Sequence, residues 1–425
     1  MVWLQRIGVL LLVVAAAGVG VSLHVADHFT DTAKDGVANA QRRALEWYPN
    51  HAVAQRIDAV LRLPDFTQET SAARVADALQ GFRQAIKDSP LEVRAMARIA
   101  STDALSEATD SASPQLAGLA DRLAPVMPQV QRNLTAWALT SGQLDKAMSH
   151  VARTLLGEPS AGATLFPLIR SLMDDEAALG VLGSVAQDPR RYRWWLSFVR
   201  YLATDPEGLD ALRTVVKLRD ESSVWPLQAD ERAYYIGRLR KDGFIDEAYL
   251  YWVNGLDADQ MLRLGYLYDG GFDQPFDNSP GFGWHASISP RTGIIISRSD
   301  TYGSSNDASL RVSFSGKRVR FRHVYQHLML PPGQYRLSGR VRPDQLEGRL
   351  GVGWVLSCDS GDTDLSYRSE PWLGTGEWRD FWFDILIPET CPSQILRLES
   401  VGSREVDHEL QGTLWLDDLQ IELFQ

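Results

Sequence analysis

The sequence predicts an α+β multidomain chain: an N-terminal membrane helix, an α-helical repeat domain and a C-terminal antiparallel β-sandwich. Three observations predict it. Ile7–Leu23 is an uncharged, apolar or small run. From about Phe29 to Gln260, Ala, Leu, Arg and Glu dominate and apolar residues recur at three and four, the period of a helix. From Asp269 onward, short stretches alternate apolar and polar with period two between turn residues, the pattern of many short strands. The boundaries fall at residues 1–28, 29–262 and 263–425.

The N-terminal run is roughly 17 residues, the lower limit for crossing a bilayer as a helix. Arg6 precedes it and Asp27 and Asp31 follow, so the positive-inside bias keeps the N-terminus in the cytoplasm and exports the rest. The expectation is a single-pass anchor in a bacterial inner membrane with the bulk of the chain in the periplasm. A signal peptide cleaved after Ala15-Ala16-Ala17 is the alternative, leaving a secreted or periplasmic protein. A buried soluble helix is a third reading. The apolar run continues past the alanine triplet, which favours the anchor.

Composition narrows the function. At 44% hydrophobic and 23% charged, the 425 residues are those of a globular chain. A net charge of -11 argues against nucleic acid as a partner. Thirteen Trp is a high count, and Trp serves cores, interfaces and sugar platforms alike.

Within the helical part, Asn133–Pro159 is the clearest stretch. Gly142 breaks two helices, Ala147 permits close approach, Val151 packs and Pro159 ends the second. These positions resemble a tetratricopeptide repeat. Ala78, Phe82 and Pro90 repeat the offsets, as do Gly243, Ala248 and Trp252, and Pro90, Pro125 and Pro159 lie about one 34-residue repeat apart. The spacing slips after Pro159, and an unrelated helical bundle remains open. A stacked array offers a groove for a protein partner. Tyr192, Arg193, Trp194 and Trp195 would line that groove or fill the core between hairpins.

In the C-terminal part, Tyr335, Leu337, Gly339 and Val341 alternate with Arg336, Ser338, Arg340 and Arg342, and Phe381, Phe383, Ile385 and Ile387 share a face opposite Trp382. Val319 and Phe321 alternate with Arg318, Arg320 and Arg322, which predicts a strand bearing a cationic stripe. That stripe suits an anionic polysaccharide or is a solvated face that discourages aggregation. The turns are Pro331-Pro332-Gly333, Glu347-Gly348, Asp359–Asp362 and Gly374–Gly376.

Four motifs carry a resemblance. They are Gly270-Gly271-Phe272-Asp273 followed by Trp284, Leu330–Gly339, Gly376-Glu377-Trp378 ahead of a strand ending at Pro388, and Leu416-Asp417-Asp418-Leu419. Together they resemble carbohydrate-binding modules with a jelly-roll, galactose-binding-like fold, over about the last third of the chain. The resemblance implies aromatic platforms for pyranose rings, flanked by polar side chains. Trp284, Tyr302, Tyr325, Gln326, His327, Trp354, Tyr367 and Trp372 are the candidates, each with core packing as the alternative, and Trp372 sits in the most exposed-looking turn. It assigns Trp378, Tyr335 and Trp415 to the core. It also implies a structural calcium held by Asp273 and Asp418 (or Asp417), with Asp300 or Asn306 joining, the alternative being ordinary turn carboxylates.

Two cysteines in one exported domain pair, so a Cys358–Cys391 disulfide is expected, stabilising by roughly 3–4 kcal/mol. No Gly-x-Ser-x-Gly elbow, His-Glu-x-x-His, P-loop or dinucleotide fingerprint is present, and no cofactor is required. The expected function is non-catalytic: an envelope protein that binds a carbohydrate polymer through its sandwich. Its helical repeats would scaffold a machine that makes, exports or attaches polysaccharide. A pure assembly factor, or an enzyme whose carboxylate pair no spacing singles out, are the alternatives.

Overall fold

A computed structural model describes residues 22–23, 25–31, 39–63, 72–103, 113–220, 226–276, 278–286, 292–300, 302–304, 308–360 and 365–424. The predicted membrane helix at residues 7–23 lies, except for its last two residues, outside the described residues. Among the described residues no helix is long and apolar enough to cross a membrane.

The described residues form two compact units that part within the helix Tyr192–Thr204, the second taking Val199–Glu221 and Pro226–Gln425. The first unit is helical, as expected. It includes the consecutive helices α1 (Ser113–Leu123), α2 (Pro128–Thr140) and α3 (Leu144–Gly157). Gly142 takes φ 68° between α2 and α3, a left-handed position that glycine fills without steric cost and that ends the first helix. A polar network ties the three helices. Gln131 on α2 donates to Asp121 on α1 at 3.1 Å, His150 on α3 lies 2.8 Å from the Gln131 amide oxygen, and Arg153 pairs with Asp121. Trp194 and Trp195 are buried with Phe166 and Phe198, so they are core and line no groove. Among its described residues this unit is a succession of helices, which shows a helical region without showing tetratricopeptide repeats.

The second unit joins helices, among them α4 (Leu209–Asp220), α5 (Ala229–Lys241) and α6 (Ile245–Val253), to the predicted sandwich. A buried bidentate pair, Arg219 Nε to Glu231 Oε1 at 3.0 Å and Arg219 Nη2 to Glu231 Oε2 at 3.1 Å, fastens α4 to α5. Gly243, at φ 86°, turns α5 into α6.

The sandwich has two antiparallel five-stranded sheets. One is ordered β1 (His285–Ala286), β4 (Val324–Leu328), β9 (Ser393–Ser400), β6 (Val352–Ser360), β7 (Ser366–Arg368). The other is ordered β2 (Ile294–Ser299), β3 (Ser309–Arg318), β10 (Glu409–Leu423), β5 (Gly333–Glu347), β8 (Arg379–Ile387). Alternation sets the inner faces: Tyr335, Leu337 and Val341 of β5 and Leu414 and Leu416 of β10 meet Leu356, Leu396 and Leu398 of the first sheet. Phe272, Trp284 and Trp354 run as a ladder of rings through this core, centroids 5.0 and 5.6 Å apart. Cys358 and Cys391 are bonded, with Cα atoms 5.7 Å apart.

Several expectations are corrected. The arginine stripe does not form, because β3 ends at Arg318 and residues 319–323 leave the sheet. Beyond Arg318 the chain is held by Phe321, whose N–H donates to Ser400 Oγ at 2.9 Å and whose carbonyl accepts the Ser400 N–H at 3.0 Å. Arg318 instead pairs with Glu409, and Arg320 and Arg322 project from coil. Trp415, expected in the core, lies on the outer face with Tyr302, centroids 4.5 Å apart. The pairing of β10 with β5 shifts between Asp417 and Gln420, where Asp418 takes φ 50°; this bulge lets Leu416 and Leu419 both point inward and leaves Trp415 outside.

Candidate functional site

The outer face of the first sheet gathers side chains far apart in sequence. Strand pairing sets His285 beside Tyr325 and Tyr325 beside Arg397, so the three form one row across β1, β4 and β9. The His285 and Tyr325 rings stack at 4.8 Å, 6° from parallel, and the Arg397 guanidinium lies 5.5 Å from the Tyr325 centroid. Two residues along β4, His327 meets both rings edge-on. Its Nδ1 is 2.8 Å from the Asp359 carboxylate on β6, and Arg240 of α5 reaches the same carboxylate at 3.5 Å.

The electrostatics follow from burial. Desolvation lowers the His327 imidazole below its ordinary value, with Asp359 pulling the other way. Burial also raises Asp359, but the hydrogen bond from His327 and the charge of Arg240 outweigh it and hold the carboxyl low. A neutral imidazole facing an ionised carboxylate donates through Nδ1–H, which leaves Nε2 as an acceptor.

His327 also forms part of the wall of a cavity of about 480 Å³, lined by Tyr249, Trp252, Tyr266, Tyr268, Phe282 and Met329 among others. Tyr249 and Trp252 are three apart on α6 and so share a helix face. Trp252 meets Tyr268 edge-on at 5.1 Å, and Tyr249 meets Phe282 at 5.1 Å. The loop carrying Phe282 presses on Trp252 at Gly281, where a Cβ would sit 2.7 Å from Trp252 Cδ1, so only glycine fits there. Arg240 closes this corner, donating to the Gly281 carbonyl at 3.3 Å.

The predicted site residues divide accordingly. Tyr325 and His327 come together on this face. Gln326, between them, points inward. Its amide donates to the Tyr268 carbonyl at 2.9 Å and accepts the Tyr268 N–H at 3.0 Å, which fixes Tyr268 beside the cavity. Trp284, Trp354 and Trp372 are 4%, 0% and 3% exposed, so each packs in the core and offers no free ring. Trp372, expected in an exposed turn, exchanges backbone hydrogen bonds with Val352 and packs on Phe381 at 4.8 Å. Arg318, Arg320 and Arg322 stand outside this face.

For calcium, Asp273 pairs with Arg263, and Asp418 accepts a hydrogen bond from the Ser304 hydroxyl. Asn306 lies outside the described residues. Among the described residues no group of three or more His, Cys, Asp or Glu is gathered as a metal shell.

Sequence reasoning missed Tyr249 and Trp252, which sit in helical pattern, and His285, Arg397 and Arg240, which only strand order and helix placement bring to the site. The i, i+3 aromatic pair just ahead of the sandwich was the one local signal.

No protein-family model matches the chain, and no curated protein does. Part of the chain is similar to solved carbohydrate-binding modules. One is the CBM22-1–GH10 region of a Clostridium thermocellum xylanase complexed with xylohexaose, at 13% identity and a TM-score of 0.27, covering 37% of this chain and 28% of that one. Another is the CBM22-1 xylan-binding domain of Paenibacillus barcinonensis Xyn10C, at 14% identity and 0.26, covering 36% and 91%. A third is a family 4 module, at 16% identity and 0.28, covering 37% and 99%.

Proposed function

We propose that this protein binds a saccharide, without chemical turnover, in the aromatic cavity beside His327. The carrying observation is the cavity itself, walled by Tyr249, Trp252, Tyr266, Tyr268 and Phe282 with a polar imidazole in its lining. Aromatic rings take the C–H face of a pyranose, and His327 Nε2 accepts a sugar hydroxyl. The non-catalytic reading is supported by the state of Asp359, whose carboxylate is already bound by His327 and Arg240, whereas glycoside hydrolysis uses two carboxylates facing a cleft. The helical unit would hold a protein partner, and the assembly would serve polysaccharide production or export at a bacterial inner membrane, with residues 7–23 as anchor and the rest in the periplasm. That part rests on the sequence.

The test is a glycan array probed with the full chain and with Trp252→Ala. Binding that weakens about tenfold or more in the variant supports the reading, since it removes the largest ring of the wall. Silence across neutral and acidic glycans, or binding indifferent to Trp252, overturns it. Weight then passes to an assembly factor with no sugar ligand. Exposed Leu250, Met261 and Leu262, the last 86% accessible, favour that second reading as a surface for a protein.

A further inference from the structure

The second sheet carries another constellation on its outer face. Strand pairing sets Arg311 of β3 and Arg342 of β5 on either side of Trp415 of β10. Tyr302, a residue 39% exposed, packs on Trp415. Arg311 lies 5.4 Å from the Trp415 centroid and Arg342 lies 5.0 Å from that of Tyr302, to whose hydroxyl it also donates.

The charge state of this row sets it apart. Elsewhere on the same face, Arg336 pairs with Asp384 at 2.8 Å, Arg340 with Asp380 at 3.3 Å and Arg318 with Glu409 at 2.7 Å. Among the described residues no carboxylate pairs with Arg311 or Arg342, although the chain is net acidic. Arg342 Nε is buried without a hydrogen-bond partner. Two uncompensated guanidiniums flanking an aromatic pair have an unmet electrostatic need and a planar donor geometry that matches a carboxylate.

We propose that this row is a second saccharide site, specific for a hexuronate residue. The sugar ring lies on the Tyr302–Trp415 pair, and its C6 carboxylate is held between Arg311 and Arg342. A neutral hexose lacks the group that satisfies the guanidiniums, and a plain anion lacks the ring face that the aromatics require. This site is on the sheet opposite the cavity and does not depend on the cavity binding sugar.

The experiment titrates an oligogalacturonate into the full chain by calorimetry, beside the matched neutral oligogalactose and polyglutamate. Expected is saturable binding of the oligogalacturonate that weakens about tenfold or more in Arg342→Gln and in Arg311→Gln, and falls with added salt. Arg318→Gln, at an arginine of the same sheet already paired with Glu409, leaves it unchanged, and thermal melts show the arginine variants folded. If Arg311→Gln or Arg342→Gln fails to fold, the other decides. Trp415→Phe retains a platform and keeps binding within a few-fold, whereas Trp415→Ala weakens it further. The proposal is overturned if no saturable binding occurs, if Arg311→Gln and Arg342→Gln both bind as the parent does, or if Arg318→Gln abolishes binding. Equal affinity for oligogalactose, or equal competition by polyglutamate, overturns it as well.

Discussion

His150 makes the stability of the first unit depend on pH in a calculable way. It sits on α3, 6% exposed, with Nδ1 2.8 Å from the Gln131 amide oxygen. Asp121 is 3.6 Å away but already pairs with Arg153. Burial pushes the imidazole down from 6.5 to about 4, with Asp121 opposing. The folded value is below the unfolded one, so as pH falls the unfolded chain takes the proton first. The stability contributed by neutral His150 is therefore complete above 6.5 and is lost as pH falls towards about 4. The gap is worth about 3 kcal/mol, a change of about a hundredfold in local opening. Hydrogen exchange over α2 and α3, corrected for intrinsic rates between pH 7.5 and 4.5, reads it out. His150→Gln keeps a donor for Gln131 and removes the titration. Other groups that titrate in this window, such as Asp417 at about 6, are common to both proteins and cancel. A parent whose protection falls with pH no more than that of His150→Gln would refute the reasoning.

Two further predictions concern the sandwich. The Cys358–Cys391 bond spans 33 residues, for which the chain-entropy relation gives about 4 kcal/mol. A reductant should lower the urea midpoint accordingly, and two free thiols in denatured, unreduced protein would sink the expectation. Trp354→Ala empties a fully buried site in the ring ladder and should destabilise the sandwich by about 3–5 kcal/mol, seen as a fall in Tm. An unaltered melt with selective loss of sugar binding would instead return Trp354 to the ligand.

How much of this was legible in the sequence follows from what each signal encodes. β5 was readable because its burial alternates residue by residue from Tyr335 to Val341. Gly142 and Gly243 marked helix ends because no other residue takes those dihedrals so readily. The fate of Trp284, Trp354 and Trp372 was not readable. Alternation separates two faces of a strand without saying which one meets the other sheet, and an aromatic suits either. Trp415 was misassigned because the bulge at Asp418 changes which residues face in, and nothing in the local pattern announces it. The arginines at 318, 320 and 322 kept their period while the chain left the sheet. The candidate site escaped because its row, His285–Tyr325–Arg397, exists only once strand order is known.

The strand order also bears on when this protein folds. β10, which follows the other nine described strands in sequence, lies in the middle of its sheet between β3 and β5. Leu419 on it donates to the Gly270 carbonyl at 3.0 Å, and Gly270 approaches so closely that a Cβ would fall 1.7 Å from the Leu419 oxygen. The first motif of the sandwich is thus fastened to the last. During synthesis β3 and β5 emerge before the strand that lies between them, so this sheet lacks its centre until residues 409–423 are available. Removing residues 409–423 therefore takes an interior strand out of the sandwich rather than an edge.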